Sequence, residues 1–132
     1  MIKKLDHVCI AVSNIQESLK TFENLLGIKA GPVREIPDQA VKATMIMVGG
    51  AEIELIEPTK PDTGVAKFLE KKGEGIHHVC FEVDDVDKEL QSLAARGFDL
   101  IDKQGRKGLA GKAGFIHPRS TKGVLVELAQ KL

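Results

Sequence analysis

The run His7–Val12 (HVCIAV) is short and β-rich, and reads as a strand. Ile15, Leu19, Phe22 and Leu26 then recur at helical spacing. Ser13 or Asn14 can cap this segment and Gly27 stops it, which predicts a helix over 14–26. Three β-like runs follow, at 28–35, 41–48 (VKATMIMV) and 51–57 (AEIELIE), with Gly49-Gly50 as a tight turn between the last two. A connector rich in proline and turn formers (57–64) leads into a short helix over 65–73 with a glycine stop. The order then restarts. IHHVCFEV (76–83) is a strand. Asp84 or Asp85 caps a helix carrying Val86, Leu90, Leu93 and Ala94 on one face, ended by Gly97. FDLI (98–101) is a short strand, KQGRKGLAGK (103–112) a basic, glycine-bearing loop, and AGFIH (113–117) and GVLVELAQ (123–130) the last two strands. Each half is therefore β-α-β-β-β.

The halves also match in detail. LDHVCIAV (5–12) laid over IHHVCFEV (76–83) puts His7 on His78 and Cys9 on Cys80, 71 residues apart. IEL at 53–55 resembles VEL at 126–128, and Glu54 and Glu127 lie 73 residues apart. Two anchors that agree within two residues mark a duplicated module. The expected fold class is α+β, with two tandem βαβββ modules. They form a single domain over 1–132: module one about 1–58, a connector helix about 61–73 and module two about 75–132.

The length of 132 residues suits one compact domain or two packed half-domains. Hydrophobic residues at 42% can build a core without disulfide staples. Nineteen basic and nineteen acidic residues leave no net charge, hence no basic footprint for nucleic acid. Trp and Tyr are absent, which argues against base-stacking platforms. No apolar run approaches a membrane span, and MIKKLDHV enters a strand without a signal-peptide core. The cytoplasm is then the default compartment, where Cys9 and Cys80 are expected as reduced, buried thiols.

Strand alternation sorts the polar residues by face. Val8, Ile10 and Val12 point toward the helix, and His7, Cys9 and Ala11 away from it. Val79, Phe81 and Val83 pack, while His78, Cys80 and Glu82 share the opposite face. Glu54 and Glu127 oppose Ile53, Leu55, Val126 and Leu128. Each half thus carries one histidine and one carboxylate on a face otherwise small or apolar. Taken singly, each such residue reads as solvated or ion-paired. Four at matched positions make a mixed nitrogen/oxygen set suited to a divalent metal, with open positions for a substrate. His77 alternates to the other face and reads as structural, and His117, before Pro118, reads as a loop or pocket-wall residue.

Paired βαβββ modules with His and Glu at these places resemble the vicinal oxygen chelate (glyoxalase/bleomycin resistance/dioxygenase) superfamily. LDHVCIAV, GIHHVCFEVDD and above all GFIHPRSTKGVLVEL (114–128) are similar to its methylmalonyl-CoA epimerase branch. The resemblance covers nearly the whole chain. It implies a glyoxalase-like fold with a metal site between the sheets, and His7, Glu54, His78 and Glu127 as ligands. Cobalt(II) is the metal it favours, with zinc, nickel or manganese as alternatives. It further implies a homodimer and epimerisation of (2R)- and (2S)-methylmalonyl-CoA by α-proton abstraction and a metal-stabilised enolate; a carboxylate near the α-carbon would serve as base, and Glu127 is the candidate read here. The sequence departs from the branch at Glu54, where many epimerases have glutamine, and at Ala43, where some carry a further carboxylate. Lys103, Arg106, Lys107, Lys112, Arg119 and Lys122 are candidates for the CoA phosphates. The alternatives are a glyoxalase I-like lyase or isomerase on a small chelating substrate, and a non-catalytic drug-binding resistance protein.

Overall fold

The structure, a computed structural model, describes residues 1–108 and 111–132. Its internal contacts divide the chain into two units, His7–His77 and Met1–Asp6 with His78–Leu132.

The unit His7–His77 is built on strands β1 (Ile2–Ala11, entering the unit at His7), β2 (Arg34–Ile36), β3 (Val41–Val48) and β4 (Ala51–Pro58), with helices α1 (Ile15–Leu26) and α2 (Gly64–Lys72). The strand order is β2-β3-β4-β1, antiparallel except for the parallel β4–β1 pair. Helix α1 starts where Asn14 accepts a hydrogen bond from the Glu17 N–H, and stops at Gly27 in the left-handed conformation. Its apolar stripe, Ile15, Leu19 and Phe22, packs on Ile10, Val12, Ile53 and Leu55, the helix-facing set that alternation predicts. The opposite sheet face is also covered. Cys9, Ala11, Val41, Ala43 and Ile56 form a second core beneath Val65, Phe68 and Leu69 of α2. The expected strand over 28–35 is shorter, because pairing begins only at Arg34. Pro32 has no N–H to give a ladder, and Gly31 supplies a lone bond to the Met45 carbonyl.

The other unit carries β5 (Gly75–Val83), α3 (Val86–Ala95), β6 (Arg106–Gly108), β7 (Gly111–Ile116) and β8 (Val126–Lys131), in the strand order β5-β8-β7-β6. The β5–β8 pair is parallel, as β1–β4 is, and the others are antiparallel. Asp85 caps α3, and Val86 and Leu90 are fully buried against Val83, Ile116 and Leu128. Burial of Leu90 is worth about 2–3 kcal/mol. Gly114 lies directly under Leu90, so a β-carbon there would sit 2.8 Å from its Cδ1.

Two expectations in this half are corrected. FDLI forms only an isolated bridge, Leu100 to Ile116, and the second strand of this half is β6, inside the expected loop 103–112. Side chains make the difference. Asp102 turns inward to accept from the Phe115 N–H (2.9 Å), and Asp87 accepts from the Gly105 N–H (2.7 Å), so Arg106–Gly108 is delivered alongside β7. Leu109 and Ala110, at the centre of that segment, lie outside the described residues. Gly111 is required where β7 begins: its φ is 137°, and a β-carbon would sit 1.9 Å from the Gln130 carbonyl oxygen.

The duplication extends to the helix starts. The first N–H of α1 (Ile15) donates to the Glu57 carboxylate on β4 (2.8 Å), and that of α3 (Val86) donates to the Gln130 amide oxygen on β8 (3.0 Å). These pairs repeat the 71- and 73-residue offsets of the His and Glu anchors.

Candidate metal site

Each unit presents one histidine beside one carboxylate. On β1 and β4, His7 Nε2 lies 3.6 Å from Glu54 Oε1. On β5 and β8, His78 Nε2 lies 3.0 Å from Glu127 Oε1. Parallel pairing produces both contacts: Cys9 faces Glu54 and Cys80 faces Glu127 in register, so each histidine, two residues back on its strand, shares the carboxylate's sheet face. Both imidazoles are nearly buried, at 9% and 8% exposure, and both carboxylates are half-buried. Dry surroundings strengthen any charge interaction made there.

The geometry of each pair suits a shared ion. Bonds of about 2.1 Å to an imidazole nitrogen and a carboxylate oxygen place the donors roughly 3.0 Å apart at a right angle and roughly 3.6 Å apart at 120°. The two observed separations match these values. Donors limited to imidazole and carboxylate suit borderline divalent ions and differ from the thiolate-rich sets of structural zinc sites.

Both cysteines are buried thiols. Burial raises the Cys80 thiol well above the ordinary range, and the charges of Glu127 and Asp6 and a hydrogen bond to Glu127 add to the effect. Asp6 is itself buried and holds Lys131 Nζ at 2.8 Å. The His77 ring stands edge-on to Phe68 of α2, with centroids 5.0 Å apart. His117 serves the loop: its Nδ1 accepts from the Arg119 N–H (3.0 Å), capping a 3-10 turn at Pro118–Ser120.

Half of the candidate cations already hold carboxylates. Lys112 pairs with Asp87 (2.9 Å), Arg106 with Asp102 (3.1 Å) and Arg119 with Asp99 (2.8 Å). Lys103, Lys107 and Lys122 are exposed.

Sequence reasoning missed three features near the histidines. They are the α2 cover, the Asp6–Lys131 pair, and Phe115, whose ring stands edge-on to His78 with centroids 5.5 Å apart and planes at 87°. Strand alternation in AGFIH already separates Phe115 from Ile116. Only the β7–β8 register shows that Phe115 lies opposite Glu127.

The sequence pattern of the Glyoxalase/Bleomycin resistance protein/Dioxygenase superfamily matches residues 6–116, and the chain belongs to this superfamily. Within it, the chain is similar to proteins named for one activity. It is 38% identical to the mitochondrial methylmalonyl-CoA epimerase of Dictyostelium discoideum over 98% of this chain and 80% of that protein. Among solved structures, the methylmalonyl-CoA epimerase of Mycobacterium tuberculosis superposes with a TM-score of 0.88 at 32% identity, over 99% of this chain and 89% of that one. A methylmalonyl-CoA epimerase solved in complex with methylmalonyl-CoA and NH4+ superposes with a TM-score of 0.89 at 29% identity, covering 99% and 96%.

Proposed function

We propose that this chain is a methylmalonyl-CoA epimerase that works with one divalent ion held by His7, Glu54, His78 and Glu127. The observation that carries the metal reading is the recurrence of a buried imidazole beside a carboxylate at duplicated positions, with donor separations suited to a shared ion. The named activity of full-length relatives supports the substrate. Cobalt(II) is favoured by resemblance, and zinc, nickel or manganese could occupy the same donors. The same resemblance makes a homodimer the expected assembly.

The reaction removes a weakly acidic proton α to a thioester and returns it on the other face. A bound divalent ion would supply Lewis acidity to the oxygen on which charge develops. Glu127 is the base for one face. The His78 imidazole and the Cys80 thiol lie beside its carboxylate and orient it. On β3, Ala43 presents a buried methyl group and cannot move a proton. The carboxylates on the corresponding face of the His7–His77 unit are Glu52, paired in register with His7, and Glu54. For the CoA phosphates, Lys103, Lys107 and Lys122 pair with no carboxylate among the described residues, whereas Arg106, Lys112 and Arg119 must exchange one.

The test is conversion of (2R)- to (2S)-methylmalonyl-CoA by protein stripped of metal and then reloaded. Turnover should vanish on stripping and return on reloading. A fully loaded protein that leaves the substrate's configuration unchanged would refute the proposed activity.

A further inference from the structure

We infer that Phe115 is a positioning residue that holds His78 in the orientation needed for metal binding. The inference rests on the reading of His78 and Glu127 as ligands. The last torsion of a histidine side chain has a broad, weakly defined minimum, so the imidazole plane is set by its neighbours. Two of the neighbours of His78 are Glu127 and Phe115. Glu127 Oε1 lies 3.0 Å from Nε2, and the Phe115 ring stands at 87° to the imidazole with centroids 5.5 Å apart. This is the edge-to-face arrangement that aromatic rings favour.

Strand pairing fixes the three residues together. Phe115 on β7 lies directly opposite Glu127 on β8, which is itself paired with Cys80 on β5. The next residue, Ile116, turns the other way into the α3 core, so Phe115 is free of that packing duty.

The other unit supplies an internal comparison. There the residue opposite the carboxylate is Met45, paired with Glu54. Methionine has an unbranched, adaptable side chain that fills space without fixing a neighbour's plane. The His7–Glu54 separation in that unit is 3.6 Å, against 3.0 Å for the pair beside the phenyl ring. The two half-sites therefore share ligand types but differ in what stands across the sheet from the carboxylate.

The test is cobalt(II) titration of metal-free protein, read by the visible absorption of the bound ion, on wild type, Phe115→Met and Phe115→Tyr. Phe115→Met copies the arrangement of the other unit at similar volume, and Phe115→Leu serves as a second variant should it fold poorly. Loss of the ring should weaken cobalt(II) binding about tenfold or more, the scale of defects beyond the ligands themselves. Phe115→Tyr should restore near wild-type affinity because it keeps the ring. The melting temperature of metal-free protein, measured in parallel, separates weak binding from a weak fold. Cobalt(II) binding by Phe115→Met and Phe115→Leu as tight as wild type would overturn the inference, as would equal weakening in Phe115→Tyr. Wild type that binds no cobalt(II) or other divalent ion would instead sink the ligand reading on which the inference stands.

Discussion

Glu127 is asked to do two jobs, ligand and base, and a single oxygen separates them. Glu127→Gln keeps the size and one ligating oxygen but removes the basic carboxylate. Under the dual role the variant should retain metal, more weakly, while kcat falls by roughly 10²–10⁴, the usual contribution of general acid–base catalysis. KM should change far less. Metal content and turnover measured on the same sample decide the matter, and full occupancy with near-normal turnover would restrict Glu127 to ligation. The histidines give a cleaner outcome. His7→Ala or His78→Ala should lose the ion and largely keep the fold, since the α1- and α3-facing cores do not include either imidazole. Unchanged metal content in both variants would contradict the assignment.

At the scale of elements, the β6–β7 hairpin depends on carboxylates more than on β propensity. Asp87, in the first turn of α3, accepts from the Gly105 N–H and from Lys112 Nζ. The Lys112 hydrogen bond, followed by that from Gly105, lowers the Asp87 carboxyl below its ordinary value of 3.8. The same contact raises Lys112 above 10.5. A depressed carboxyl stabilises the fold above its unfolded value, and that contribution is lost as pH falls through the folded value. A raised ammonium stabilises below its unfolded value, and its contribution is lost as pH rises through the folded one. The contribution of this contact should therefore be flat from about pH 5 to 9, and both groups are solvent-facing, so it is small. Asp87→Asn should give a constant small loss in melting temperature across that range. A loss that varies strongly between pH 5 and 9 would show that another group anchors the hairpin.

This hairpin also shows where sequence reading stops. Helices α1 and α3, their caps and the strands β1, β3, β4 and β5 were legible because apolar periodicity and capping residues act locally. The His and Glu pairs were legible as residues sharing a face. KQGRKGLAGK has the low β propensity of a loop, and Arg106–Gly108 within it pairs as a strand because Asp87 reaches Gly105 from 18 residues away, while Asp102, just before the segment, accepts from Phe115 13 residues on. Cover of the Cys9 face by Phe68 and Leu69 was likewise a tertiary fact. The carboxylate partners of Arg106, Lys112 and Arg119 were invisible for the same reason.

At the scale of the whole molecule, a duplicated βαβββ chain supplies the same donors twice, and the substrate's CoA portion must find its cations elsewhere. Replacing Lys103, Arg106 and Lys107 together by Ala should raise KM for the CoA thioester with little change in kcat, the mark of uniform binding. The effect should shrink at high salt, because exposed charges are screened. An unchanged KM at low salt would place the phosphates on other residues. The most direct test of the central claim is exchange of the methylmalonyl-CoA α-proton in deuterium oxide by metal-loaded wild type and by His78→Ala. The account predicts rapid deuterium incorporation by the loaded wild type and loss of it in the variant. No incorporation by fully loaded wild type, or equal incorporation by a metal-free His78→Ala, would contradict it.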